Sequence, residues 1–293
     1  MSNTEQNYQR VVEDSTPTSW LPGTSIEVVR PLAPSQPPQH VLFDFDGTLS
    51  LIREGWIELM VPMMVEVLQR TGTDESPDQL NRLTHDFVGE LTGKQTIYQM
   101  IRLAEEVEQR GGEACDPAVY KQEYHQRLMT HISSRRNDLR RSRVPREELL
   151  VPYSVQLLDE LAAMDAQLYL ASGTDENYVR EEVALLGLDH YFGRHIYGAQ
   201  DDYRSFSKAM VISRILEQNN VDGSQLLGFG DGYVEIQNVK EVGGIAVAVA
   251  SDEKGRSGKV DPWKRDRLLG VGADLVIPDY RDHQRLVAHL WGQ

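Results

Sequence analysis

The chain has 293 residues, enough for one large domain or a core carrying a smaller insert, and its 26% charged and 40% hydrophobic residues exclude a disordered or fibrous protein. A formal net charge of −15 repels polyanions and no basic face is long enough to follow a nucleic-acid backbone, so no nucleic-acid partner is expected. The single cysteine, Cys115, excludes an internal disulfide, no apolar run approaches the ~20 residues of a membrane span, and "MSNTEQNYQR" lacks the apolar core of a secretory signal; a cytoplasmic protein with no membrane partner is expected.

Residues 1–38 are polar and marked by prolines, which reads as an extended arm with at most one short strand at "SIEVVR". "HVLFDFD" follows as a strand buried on both faces, because its continuous apolar residues suit a covered parallel sheet. From "REGWIELMVPMMVEVLQRTG" through "TIYQMIRLAEEVEQRGG" to "AVYKQEYHQRLMTHISSRRNDLRR" apolar residues recur at three- and four-residue intervals with no strand between them. This region, 54–150, is expected to be an all-helical insert in a core formed by 39–53 and 151–293. At "VPYSVQLLDELAAMDAQLYLASGT" helix-then-strand alternation resumes, and it repeats four more times to "DLVIP". Such alternation predicts an α/β fold with a doubly wound parallel sheet, whose ligands bind at the carboxyl ends of the strands.

Each polar cluster of interest follows one of those strands. Asp44, Asp46 and Thr48 close the first, and two carboxylates one residue apart repel and raise each other's pKa unless something uses them. Ser172, Gly173 and Thr174 follow "AQLYLA", Lys208 opens the helix in "RSFSKAM", and Asp231 ends "LLGFG" with Glu235 one helical turn later. A parallel sheet brings these to one edge. Carboxylates are the oxygen ligands Mg²⁺ prefers, while lysine and backbone N–H groups balance phosphate oxygens.

In their order, "DFDGTL", "LASGT", "SK" and "GDGYVE" resemble the four motifs of the haloacid dehalogenase (HAD) superfamily, with an insert similar to the helical cap of its phosphoglycolate phosphatase and beta-phosphoglucomutase branch. The resemblance implies a Rossmann-like core and an Mg²⁺-dependent phosphatase whose partner is a small phosphate ester such as a sugar phosphate. Asp44 would be the nucleophile, and Asp46 the general acid and then base. The resemblance further implies Mg²⁺ on Asp44, Asp231 and the Asp46 carbonyl, with Glu235 beside it where the family more often has aspartate. Ser172 and the Gly173 N–H would cradle the transferring phosphate, with Lys208 balancing its charge.

A phosphomutase, or a non-catalytic binding protein of the same fold, is the alternative; "GTL" after Asp46 leans toward phosphatases. Dehalogenases would have no use for Asp46, and phosphonate hydrolases resemble this pattern with a small residue in its place. Substrate contacts are expected from Thr48, from Arg53, whose alternative is a hinge ion pair with Glu54 or Glu58, and from Lys94 and Gln95 in a turn of "LTGKQTIYQM", whose alternative is a plain helix-capping turn. "SSRRNDLRRSR" reads as a solvated helix end pairing with the acidic core, and "ASDEKGRSGKVDPW" as a mobile loop or lid. "EKGRSGKV" has the wrong glycine spacing for a nucleotide loop, "GFGDG" lacks the third glycine of a dinucleotide fingerprint, and the eight histidines show no zinc spacing.

Overall fold

Eight strands join in one sheet in the computed structural model, which describes residues 7–12, 17–32 and 37–292. They are β1 (Ser19–Trp20), β2 (Glu27–Val28), β3 (His40–Phe43), β4 (Gln167–Asp175), β5 (Ile196–Ala199), β6 (Leu226–Gly230), β7 (Ile245–Val249) and β8 (Leu275–Ile277), in spatial order β1-β2-β8-β7-β6-β3-β4-β5. From β8 to β5 every pairing is parallel. β1 and β2 run antiparallel on the β8 edge, so the extension supplies two short strands where one was expected. Its residues 1–6, 13–16 and 33–36 lie outside the described residues.

β3 lies at the centre, with Phe43 opposite Leu170 of β4 on one side and Phe229 of β6 on the other. Its side chains alternate between two cores: Val41 and Phe43 enter one, and Leu42 enters the other. That period of two is why a fully apolar run was needed. The Phe43 and Phe229 rings stack 4.8 Å apart. Helices α6 (Ser154–Ala163), α7 (Glu176–Leu185), α8 (Asp189–Phe192) and α12 (His283–Trp291) contribute to the first core; α9 (Lys208–Asn219), α10 (Tyr233–Glu241) and α11 (Pro262–Gly270) contribute to the second. The numbers of strands rise on one side of β3 and jump on the other, which opens a crevice at its carboxyl end.

Between β3 and α6 the chain forms α1 (Ile57–Gln69), α2 (Pro77–Glu90), α3 (Thr96–Gln109), α4 (Pro117–His131) and α5 (Ser133–Arg140), with no strand. Their starts follow local chemistry. Ser76 caps α2 in a reciprocal box with Gln79 (2.8 and 3.3 Å), and Asp116 accepts the Ala118 N–H at the start of α4. The basic run on α5 pairs with acidic residues: Arg135 with Glu54 at 2.9 Å, and Arg136 and Arg140 with Glu181 on α7, Arg136 being buried.

Candidate active site

The two carboxylates that end β3 face different partners. Asp44 lies 3.0 Å from the Lys208 ammonium, which is 1% exposed and also pairs with Glu235. Ser207 delivers that lysine: its hydroxyl accepts the Met210 N–H at 3.2 Å and starts α9 with Lys208 as its first residue. Burial pushes the Asp44 carboxyl up, the Lys208 charge pulls it down, and the nearby Asp231 charge raises it again. Asp46 accepts the Thr174 hydroxyl at 2.9 Å and the Ser172 hydroxyl at 3.5 Å. Its other oxygen, buried and without a hydrogen bond, sees Arg53 Nε at 3.7 Å. Burial dominates, opposed by Arg53 and reinforced by Glu182 and Asp44, and the carboxyl is pushed up to about 7.

Asp231 follows β6. Its N–H donates to Thr48 Oγ1 at 3.0 Å, and its carboxylate accepts Lys264 Nζ at 2.8 Å. Lys264 also reaches Glu253 at 2.6 Å. The loop expected to be mobile is therefore tied down: Glu253 holds Lys264, and Ser251 donates to the Gly47 carbonyl at 2.9 Å. Buried Tyr280 donates to the Thr48 carbonyl at 3.0 Å, fixing the turn after β3 from below.

Arg53 pairs with neither Glu54 nor Glu58 but with Glu182 of α7, through Nε at 2.9 Å and a second nitrogen at 3.0 Å. Three cations thus each sit between two carboxylates: Lys208 between Asp44 and Glu235, Lys264 between Asp231 and Glu253, and Arg53 between Asp46 and Glu182, the last of which also faces Arg136 at 3.9 Å. The metal is expected on Asp44, Asp231 and the Asp46 carbonyl with Glu235 beside it, and no group of three metal-binding side chains forms among the described residues. The reason is electrostatic: each lysine draws its two carboxylates toward itself, and Glu235 faces Lys208. Asp44 and Asp231 still border one cavity of about 100 Å³, and each is acidic oxygen of the kind a hard dication takes.

The turn before α3 closes that cavity. Gly93, at φ +100°, meets Gly232 so closely that a Cβ there would sit 3.1 Å from the Gly232 Cα, and a Cβ on Gly173 would sit 2.8 Å from the Lys94 carbonyl. Lys94 lines the cavity with Arg53, Ser172 and Gly173. Gln95 donates instead to the carbonyls of Tyr203 (3.1 Å) and Phe206 (2.9 Å), tying the turn to the core. Trp56 and Tyr124 give the cavity an apolar wall that no motif announced.

The sequence model of the haloacid dehalogenase-like hydrolases matches residues 38–243. The chain belongs to this family. No curated protein matches the HAD chain. Solved structures do: a haloacid dehalogenase-like protein of unknown function from Agrobacterium tumefaciens (18% identity, 86% of this chain and 98% of that one, TM-score 0.55), a predicted phosphoglycolate phosphatase from Haemophilus somnus (15%, 85% and 97%, 0.54) and a candidate beta-phosphoglucomutase from Bacteroides vulgatus (14%, 88% and 92%, 0.53). At these identities they establish the HAD fold, a mostly parallel sheet with a helical cap. Among the described residues no helix is long and apolar enough to cross a membrane.

Proposed function

We propose that this HAD hydrolase is an Mg²⁺-dependent phosphatase that cleaves a small phosphorylated metabolite through a phosphoryl group carried on Asp44. The pairing after β3 carries the reading: Asp44 lies 3.0 Å from a buried ammonium, and Asp46, two residues on, is held separately by Thr174 at 2.9 Å. A nucleophile and an independent proton carrier are what ester hydrolysis in two steps requires.

Asp44 attacks phosphorus, the bond from phosphorus to the ester oxygen breaks, and Asp46 gives its proton to that oxygen. Water then attacks the phosphorus of the acyl phosphate, returns a proton to Asp46 and frees phosphate and the Asp44 carboxylate. Ser172 and Gly173 line the cavity with Asp44, so the Ser172 hydroxyl and Gly173 N–H would cradle the phosphoryl group while Lys208 offsets charge on Asp44. Asp44, Asp231 and the Asp46 main-chain carbonyl would hold Mg²⁺, which when bound neutralises phosphate charge and shields the dianion from the nucleophile. The small cavity, with Lys94 and Arg53 beside Trp56 and Tyr124, supports a compact leaving group.

The test is purified protein against phosphorylated metabolites and an aryl phosphate, with and without Mg²⁺, reading free phosphate and isomerised sugar phosphate. Mg²⁺-dependent release supports the phosphatase. Isomerisation without release would make it a phosphomutase, and no turnover by folded protein would favour a binding role.

A further inference from the structure

Lys264 lies outside the four motifs and beyond the residues matched by the family, which end at 243, yet local chemistry fixes it against Asp231. Asp261 caps α11 by accepting the Lys264 N–H at 2.9 Å, and Pro262 supplies the first helical residue. Upstream, Asp252 accepts the Gly255 N–H at 2.8 Å and turns the loop, Ser251 bridges to Val260, and the Asp261 N–H donates to the Ala250 carbonyl at 2.8 Å. The loop closed in this way sets the Glu253 carboxylate and the Lys264 ammonium 2.6 Å apart, beside the turn at Gly47. Lys264 Nζ also lies 2.8 Å from Asp231 Oδ2 and 3.4 Å from Ser251 Oγ. Its side chain is 13% exposed, so water screens its charge poorly.

We infer that Lys264 is a positioning residue that serves Asp231 as a resident counter-cation: it satisfies that carboxylate in the metal-free enzyme and yields it to an entering divalent cation, with Glu253 as its remaining partner, and so sets how tightly the metal is held. The inference rests on the reading of Asp231 as a metal ligand. An ammonium and a hard dication seek the same carboxylate oxygens, and Coulomb energy falls with distance, so a unit positive charge 2.8 Å from that ligand opposes the metal far more than a cation on the surface does. Lysine suits the task, being a compact charge on a flexible four-carbon stem. With Glu253 at 2.6 Å it can give up Asp231 without becoming an unpaired buried charge. While it stays, Asp231 and Glu253 do not face each other unopposed. Removing the ammonium should therefore tighten metal binding and weaken the metal-free fold, whereas the loss of a merely structural lysine would weaken both.

The experiment uses the full chain with Mn²⁺ as the probe and no substrate. Free Mn²⁺ is read by electron paramagnetic resonance at fixed ionic strength, and Tm is taken with and without saturating Mn²⁺. Lys264→Met and Lys264→Gln remove the charge and keep an unbranched stem, Lys264→Arg keeps the charge, and Lys254→Met, at an exposed position of the same loop, changes the net charge by the same amount. Lys264→Met and Lys264→Gln are expected to lower the Mn²⁺ Kd by at least about fivefold and to lower the metal-free Tm, the deficit closing as Mn²⁺ saturates. Lys264→Arg should not tighten binding, and Lys254→Met should stay within about twofold of wild type. An unchanged or raised Kd in folded Lys264→Met or Lys264→Gln overturns the inference. Equal tightening in Lys264→Arg or in Lys254→Met also overturns it, by assigning the effect to loosened packing or to net charge. Asp231→Asn tests the reading beneath it: saturable binding should be lost there, and binding that persists at wild-type strength removes Asp231 from the metal.

Discussion

Gly47 has φ +73°, and a Cβ there would lie 2.1 Å from Asp231 Oδ2 and 3.0 Å from Glu253 Oε1. An alanine must therefore displace the Asp231 carboxylate as well as strain the backbone. Gly47→Ala is expected to cost roughly 1–2 kcal/mol of stability by urea unfolding, and turnover should fall by about a hundredfold because misplacing a site group by an ångström has that effect. A loss of stability alone would mean Asp231 does not take part. Asp44→Asn is nearly isosteric and leaves Lys208 its pairing with Glu235, so the melting temperature should hold while turnover falls by at least about a thousandfold. His40 is a different case, at the far end of the same strand. Burial lowers its pKa, and it sits 3.2 Å from the Tyr169 hydroxyl. The unfolded chain takes up that proton first, so the stability gained from a neutral imidazole is present above the ordinary histidine pKa of about 6.5 and is lost as pH falls below it. Between about pH 7.5 and 5.5, His40→Gln should lose fewer degrees of melting temperature than the wild type. Equal slopes would assign the acid sensitivity to other groups.

The ion pair of Arg53 and Glu182 joins the start of the helical insert to α7 of the core, and Glu182 is fully buried. Removing Glu182 takes both short hydrogen bonds from buried Arg53 and leaves it only Asp46 at 3.7 Å, so Glu182→Ala should cost up to about 3–5 kcal/mol in urea unfolding. Glu182 was legible in part: it shares the i, i+3, i+4 stripe with Val179 and Val183, and a carboxylate in a buried stripe needs a cation. Sequence could not say which, because Arg53 lies far away along the chain. Lys264 and Glu253 carried no such signal; each looks like a surface residue until the loop folds back on Asp231. The motif residues could be read because each follows a strand, and strand order brings them together. β1 was missed for the opposite reason. Its two residues are exposed, with no apolar alternation, and only pairing with β2 makes them a strand. Motif order places Glu235 beside the metal position without saying which way it faces, and in the structure it faces Lys208.

Across the molecule the net charge of −15 and the carboxylates Asp44 and Asp231 at the site act in the same direction. A phosphate dianion approaching so acidic a molecule is repelled, and a divalent cation at Asp44 and Asp231 would offset that repulsion. The same logic makes metal binding measurable without substrate. Binding to the folded state alone stabilises it by RT ln(1 + [L]/Kd), about 2.7 kcal/mol at a hundredfold excess over Kd. For a chain of this length that should raise Tm by several degrees. A dication also screens a strongly acidic surface, and screening would raise Tm with no site at all. The two effects separate in one comparison. KCl at matched ionic strength should reproduce the screening part, and the remainder should saturate with Mg²⁺ and disappear in Asp231→Asn. If KCl accounts for the whole rise, or if Asp231→Asn keeps the saturating part, Asp231 does not hold the metal.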